Sequence, residues 1–528
     1  MEPVIRSGRS TCWIGLCALA TLAPGGDRAP AARAGEASCA ALAPAALRGK
    51  RLFQRGVTAD GRPLEGAIVG GAATLSGREA ACAGCHAPGG EGTAEGGIAA
   101  PPITADRLSS STRERGAYAA ATLAAAIREG RAPASRRLHP VMPRYRLGEA
   151  DLADLIAYLG CVGRDLDPGV TEDAVKLGAA LPLTGPAAPM GAAVRDVLSA
   201  AFAEVNARGG VFRRRIELSV EDSGGSAGEP GATARLLDRG VLALVGSAWS
   251  GDPRLEARLE EEGAPLVGPG GAGTTTGDGV VFHVEPGPDV LARVAITHLA
   301  GARSDAGSAA LIVHTRDGAG EAWASGARAE AARRGLPAPA SLAFAPGHLP
   351  PRAVVEAARR QGARAILFWG PGGDLARCAA LAPAFDGAPI YASLGSIGGE
   401  PEALRPEVSD RVLFLYPGLL GEEARASSEA LRAFLRRAGV APGPLWAQAS
   451  AYVSATILIE ALKRAGAHVT REGLIAALEG LRDFDAGPAS RVSFARNRRV
   501  GVLGASLVRL DPASGAAVRA SGWIDVVP

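Results

Sequence analysis

The sequence predicts a multidomain protein, with a small all-α unit followed by a larger α/β unit of two lobes. Three observations lead there. At 528 residues the chain is too long for one ordinary core. Its pattern changes near residue 170, from short helical stretches around a Gly-rich middle to apolar runs that alternate with amphipathic helices. The alternating part spans roughly 350 residues, more than one doubly wound domain holds, and two lobes with a cleft between them fit that length.

Hydrophobic residues make up 47% and charged residues 21%, the balance of a globular chain. A net charge of +3 gives no bulk field toward nucleic acid or membrane, so no nucleic-acid partner is expected. Lysine occurs only at Lys50, Lys176 and Lys463, so arginine carries nearly every basic position, a matter of codon usage rather than of partners.

Residues 1–34 have the make-up of an export signal. Arg6 and Arg9 open it, an apolar run from Cys12 to Ala23 follows, and Ala32-Arg33-Ala34 forms a small-x-small cleavage site. No later stretch approaches the roughly 20 apolar residues of a spanning helix. The expected mature chain is therefore exported, without a membrane span.

The first folded unit is placed at 39–163, a linker at 164–174 around Pro168 and Gly169, and the second unit at 175–528. Strands are expected at 175–183, 216–220, 241–246, 265–268, 309–314, 365–369, 389–392 and 412–416. Helices are expected at 194–206, 254–262, 290–299, 321–334, 351–361, 424–438 and 447–465.

In the first unit, Cys82-Ala-Gly-Cys85-His86 is a C-x-x-C-H motif. Two thiols at this spacing can add across the two vinyl groups of a haem, while the adjoining imidazole reaches the iron. Zinc would need a second ligand pair, and no second C-x-x-C or H-x-x-H exists. A redox dithiol would open a helix directly after a strand, whereas Cys82 follows the polar Leu75-Ser-Gly-Arg-Glu79. After the initiator only Met142 and Met190 remain as methionines. Met142 sits in a Met-Pro loop ahead of a helix that starts at Gly148, with Leu152, Leu155, Ile156 and Leu159 as its apolar stripe. Glu149 and Asp151 in the first turn suit the helix dipole.

Residues 45–162 resemble a class I cytochrome c domain. The resemblance is carried by Gly49, Phe53 and Gly56 on an early helix, the C-x-x-C-H motif, Met142-Pro143-x-Tyr145, and the Ala157-Tyr158-Leu159 ending. It implies one covalent haem c held by Cys82, Cys85, His86 and Met142, with His86 and Met142 on the iron. His139 is the rival sixth ligand. Such a pair raises the reduction potential and suits an electron carrier. The resemblance also implies that the first and last helices pack together. Export permits a Cys39–Cys161 disulfide there, the alternative being free thiols. Arg128, Arg131, Arg136, Arg137, Arg144 and Arg146 surround the Met142 loop, either as a rim that steers an acidic redox partner or as a solvated loop.

Residues 175–528 resemble the type I periplasmic binding proteins, the branched-chain amino-acid receptor family. Carrying residues are Gly178 to Gly185, Gly191, Glu204, Asn206, Gly209 and Gly210, Ile216 to Asp222, Leu244 to Ser247, and Tyr452 on a late helix. The resemblance implies a first lobe over 175–298 with a later return, and a second over 306–415 with the C-terminal part. It implies ligand contacts at Met190, Ser247, Trp249, Ser250, Gly270, Gly271 and Ala272. The Ala392–Ser396 loop offers no acid for an ammonium group, and Glu400 is the nearest, so the expected ligand is not a free α-amino acid. A small carboxylate, or a neutral or aromatic solute on Trp249, fits better.

No catalytic residue is predicted. Gly268–Gly273 is Gly-rich but lacks a P-loop lysine. The combined expectation is a periplasmic cytochrome fused to a solute receptor, with a periplasmic redox partner. The alternatives are an ABC-importer receptor that uses a permease, and an electron-accepting subunit of a dehydrogenase.

Overall fold

The computed structural model describes residue 39 and residues 42–71, 73–113, 115–270, 279–301, 309–385, 388–397, 411–511 and 517–527. The expected export signal lies outside them.

The N-terminal unit is organised by the crossing of its first and last helices, Pro44–Arg55 and Glu149–Leu159. They approach closely because position 49 is glycine, where a Cβ would lie 2.0 Å from the Asp154 carbonyl oxygen. Phe53 packs edge-on against Tyr158, with ring centroids 5.4 Å apart. Arg48 spans the crossing with a two-pronged bond to Asp154, at 2.7 and 2.8 Å. Cys39 and Cys161 are joined by a disulfide at the same end of the unit. Leu152, Leu155 and Leu159 are buried as the helical period requires, and Gly148 is the N-cap. Short strands join these helices, among them Glu65–Ala67, which pairs antiparallel with both Thr74–Ser76 and Arg144–Tyr145.

The first lobe carries five parallel strands, in the order Val281–Phe282, Leu266–Val267, Ala243–Val245, Ala174–Leu181 and Arg215–Asp222. The second carries seven, in the order Ala340–Phe344, Ala310–Thr315, Ala365–Trp369, Ile390–Ser393, Val412–Tyr416, Gly504–Leu510 and Ala517–Asp525, with the last two antiparallel. The alternating text thus yields mostly parallel sheets sandwiched by helices.

Three expectations need correction. Helix Pro288–Gly301 belongs to the second lobe, not the first: Val290, Leu291, Val294 and Leu299 are buried in that core. It packs tightly on the next helix, where a Cβ on Gly326 would stand 2.2 Å from the Asp289 carbonyl. The first lobe is completed by the returning helices Gly421–Arg437, Leu445–Ala465 and Arg471–Glu479. Helix Leu445–Ala465 is long and apolar enough to cross a membrane by composition, contrary to the reading that no such stretch exists, but its Ala451, Val453, Ile457 and Leu458 fill the lobe core. Finally, the linker is folded. Val170 bridges Val175, Lys176 N–H donates to the Gly169 carbonyl at 2.7 Å, and the chain turns back on itself over 171–174.

Among the described residues three segments cross between the lobes: His283–Gly287, Pro417–Leu420 and the stretch 500–503. The first and third pair as a parallel bridge, with Gly501 N–H on the His283 carbonyl at 2.8 Å and Val502 N–H on that of Val284 at 3.1 Å.

Replacing Gly49 by Ala forces the helix crossing apart. Overpacking of this kind costs about 1–3 kcal/mol, and thermal melts of the full-length chain should show the N-terminal unit unfolding earlier with the lobes unaffected.

Candidate functional sites

The C-x-x-C-H motif lies on a single helical turn, Ala83–His86, with Cys82 as its N-cap, and both thiols are free. His86 donates from Nδ1 to the Pro101 carbonyl at 2.9 Å, which leaves Nε2 as the lone-pair nitrogen. Burial holds its pKa below the ordinary value, so the imidazole is neutral, the form that binds a metal. The Gly-rich loop after the motif is tied down by Gly92 N–H on the His86 carbonyl at 2.8 Å, Thr93 Oγ on the Cys85 carbonyl at 2.6 Å, and Gln54 Nε2 on the Pro88 carbonyl at 3.3 Å.

The Met142 loop is brought to this motif by its neighbours. The Tyr145 hydroxyl bonds Cys82 Sγ. Burial pushes the Cys82 thiol up to about 12 and the Tyr145 phenol well above its ordinary value. Pro143 and Tyr145 pack on Gly66, where a Cβ would sit 2.9 Å from Pro143 Cβ. Arg144 folds under the loop, donating to the Met142 carbonyl at 2.6 Å and the Leu138 carbonyl at 3.4 Å. It lies on Gly130, whose φ of 67° and lack of side chain make room for the guanidinium. His139 caps the same loop from within, its Nδ1 accepting from Val141 N–H at 3.3 Å. Of the six arginines read as a rim, Arg144 shapes the loop, Arg128 is paired with Glu149 and Arg131 with Glu129, while Arg136, Arg137 and Arg146 are exposed.

These residues fit a haem. Two free thiols flank a neutral imidazole with a fixed tautomer, and a thioether-bearing loop is held by a tyrosine that touches one of the thiols.

In the first lobe, Met190 is half-buried at the start of helix Ala188–Ala207. The following Gly191 lets that helix press on the end of the first strand, where a Cβ would be 2.1 Å from the Pro182 carbonyl. Trp249 N–H donates to the Gly270 carbonyl at 3.1 Å, so the loops carrying Trp249 and Gly270 form one wall. The Trp249 ring stands edge-on to His283, with centroids 6.2 Å apart. Gly271 and Ala272 lie outside the described residues, as does Glu400.

Two serines of the predicted set serve the lobe itself. Ser247 is fully buried, its Oγ accepting from Ala180 N–H at 3.0 Å. Ser250 donates from Oγ at 2.5 Å and from N–H at 3.2 Å to Glu229, a buried carboxylate whose pKa is raised by burial and partly restored by Ser250. The next helix, Pro253–Glu262, is capped by the Asp252 side chain on Arg254 N–H at 2.8 Å. The Ser250 and Arg254 N–H groups therefore already face two acids.

Sequence reasoning also missed an acid. Glu285 lies on the first crossover, where desolvation by the surrounding protein raises its pKa. Its charge raises Tyr416, at the start of the second crossover, after the larger effect of burial. The spacing around Glu285, His-Val-Glu-Pro-Gly, carries no sequence signal, because only the return of the third crossover defines this place.

The Periplasmic binding protein family matches residues 174–516 and the Cytochrome c family residues 72–162. No curated protein matches the sequence. Among solved structures, a fatty acid ABC transporter substrate-binding protein from Thermomonospora curvata is similar over 68% of this chain and 94% of its own, at 24% identity and a TM-score of 0.53. A periplasmic binding protein type 1 from Bordetella pertussis Tohama I covers 66% and 100%, at 22% identity and a TM-score of 0.51. At these identities the likeness speaks for the fold of the lobes.

His283 gives a pH test of the hinge region. It is buried, and burial depresses its pKa from 6.5 to about 4. The unfolded chain then takes up the proton first, so stability is full above pH 6.5 and falls as pH drops toward 4. Between pH 7 and pH 5 this group removes about 2 kcal/mol. Denaturation followed by tryptophan fluorescence should show that loss in the native chain and not in His283→Gln.

Two free thiols beside a tautomer-fixed histidine, ahead of two lobes joined by three crossovers, agree with both family matches: the chain belongs to the periplasmic binding protein family and carries a cytochrome c domain in front of its lobes.

Proposed function

We propose that the protein is a periplasmic electron carrier fused to a solute receptor, with one haem c bound through Cys82 and Cys85 and ligated by His86 and Met142. The observation that carries this reading is the 2.9 Å bond from His86 Nδ1 to the Pro101 carbonyl, which orients Nε2 as a ligand. Bound haem supplies a one-electron centre. The chain's own residues set its surroundings. His86 offers a neutral nitrogen, the Arg144–Met142 bond fixes the loop that presents the thioether, and Tyr145 braces that loop on Cys82.

The lobes are proposed to close on a small solute against Met190, Trp249 and the Gly270 loop, with Gly271 and Ala272 continuing that loop. Glu229 and Asp252 at the first-lobe wall oppose a ligand carboxylate, which narrows the expected ligand to a neutral or aromatic solute. The exclusion of amino acids rests on this wall. A receptor role toward an ABC permease is the second reading, favoured by the fold shared with substrate-binding proteins of such transporters. It is tested by co-purification of a permease with the closed form.

Protein matured in an export-competent host should carry haem that survives denaturing electrophoresis, and Cys82→Ser with Cys85→Ser should lose it. Met142→His should keep the haem but lower its reduction potential, since His/Met ligation raises it. An unchanged potential and spectrum would remove Met142 as a ligand. A solute screen by thermal shift on the full chain should find a binder, which at a hundred times its Kd stabilises by about 2.7 kcal/mol.

A further inference from the structure

The N-terminal unit does not hang on a tether. Its contact with the first lobe is a seam of ion pairs centred on helix Arg471–Glu479. Glu472 accepts from Arg78 at 2.6 Å and lies 3.5 Å from Arg55. Arg55 also donates to the Glu260 carbonyl at 2.8 Å. Glu479, two turns further along the same helix face, is shared: Arg78 is 3.7 Å away and Arg499 2.7 Å away.

Both ends of this relay are placed where they matter. Arg78 lies on the short helical turn Gly77–Ala80, one residue ahead of Cys82. Arg499 is buried and immediately precedes the third crossover. Its backbone carbonyl accepts from His283 N–H at 2.8 Å, and its guanidinium lies 4.5 Å from the centre of the Phe282 ring. The path from the haem-binding turn to the hinge thus runs Arg78, Glu479, Arg499, His283, through an ion pair, a charged hydrogen bond and a backbone hydrogen bond in turn.

We propose that Glu479 is a positioning residue that links the haem-binding turn to the interlobe hinge, so that the redox state of the cytochrome domain and the opening of the lobes depend on one another. This rests on the haem reading given above. A unit change of charge on the haem side of the seam alters how strongly Arg78 holds the carboxylate it shares with Arg499. Because coupling between two equilibria is reciprocal, it is measurable from either side, and the redox side needs no identified solute.

The test is backbone hydrogen exchange of the haem-loaded full-length protein, once oxidised with ferricyanide and once reduced with dithionite. The amides of His283, Gly501 and Val502 report opening of the hinge pairing. Their exchange should differ between the two states by about fivefold or more. Glu479→Gln should abolish the difference while leaving the haem spectrum intact, and Glu479→Asp should retain part of it. Arg78→Gln, a change made outside the lobe core, should give the same loss and serves if Glu479→Gln does not fold. Equal exchange in both redox states of the native protein overturns the proposal, as does a difference that persists in both Gln variants. A colourless protein overturns the haem reading instead.

Discussion

One carboxylate holds the two halves of this molecule in register. Asp167 pairs with Lys50 on the first helix of the cytochrome domain and accepts from the backbone N–H of Arg471, at 2.5 Å, on the helix that closes the first lobe. Asp165 adds a second partner for Lys50, at 2.5 Å. Burial alone would lower the Lys50 pKa, but Asp167 and Asp165 outweigh it and hold the ammonium charged. Arg471 is also buried, and desolvation lowers its pKa. It survives as a cation because its fork reaches the Val241 carbonyl at 2.7 Å, the Leu242 carbonyl at 3.2 Å and the Glu262 carbonyl at 3.1 Å. Breaking one member of a buried set like this costs about 3–5 kcal/mol, since the others are left uncompensated, so the relation between the halves is strongly specified.

The haem-binding half was legible in the sequence because its signals are local. C-x-x-C-H is a contiguous chemical motif, Gly148 and the Leu152, Leu155 and Leu159 stripe delimit a helix, and Met142-Pro143 marks a loop. The residues that orient these groups were not legible. Nothing in the sequence says that the Pro101 carbonyl accepts the His86 N–H or that Tyr145 reaches Cys82, since both depend on how loops distant in sequence fold over one another.

In the lobes, long periodic elements such as Pro351–Gln361 and Ala365–Trp369 stood where the pattern put them. The misses have physical causes. Strand Val281–Phe282 has only two residues, too few for a period, and strand Ala517–Asp525 is exposed along most of its length, so no alternation marks it. Helix Pro288–Gly301 was given to the wrong lobe because a chain that crosses a hinge carries no local sign of doing so. Ser247 and Ser250 matched a family position, but their hydroxyls are taken by Ala180 N–H and by Glu229, a buried acid 21 residues before Ser250.

The folded turn between the halves has a consequence for how such a molecule can be divided. Gly169 has a φ of 82°, and a Cβ there would lie 2.3 Å from Leu242 N, so this stretch is pressed against the first lobe as part of its surface. A receptor fragment begun at residue 174 would strip Asp167 from the Arg471 amide and take Val170 out of the lobe core, leaving its place open to water. The natural seam for cutting the gene therefore lies upstream, between Cys161 and Asp165. Even there the exposed face of the lobe would keep the acidic helix that the cytochrome had covered.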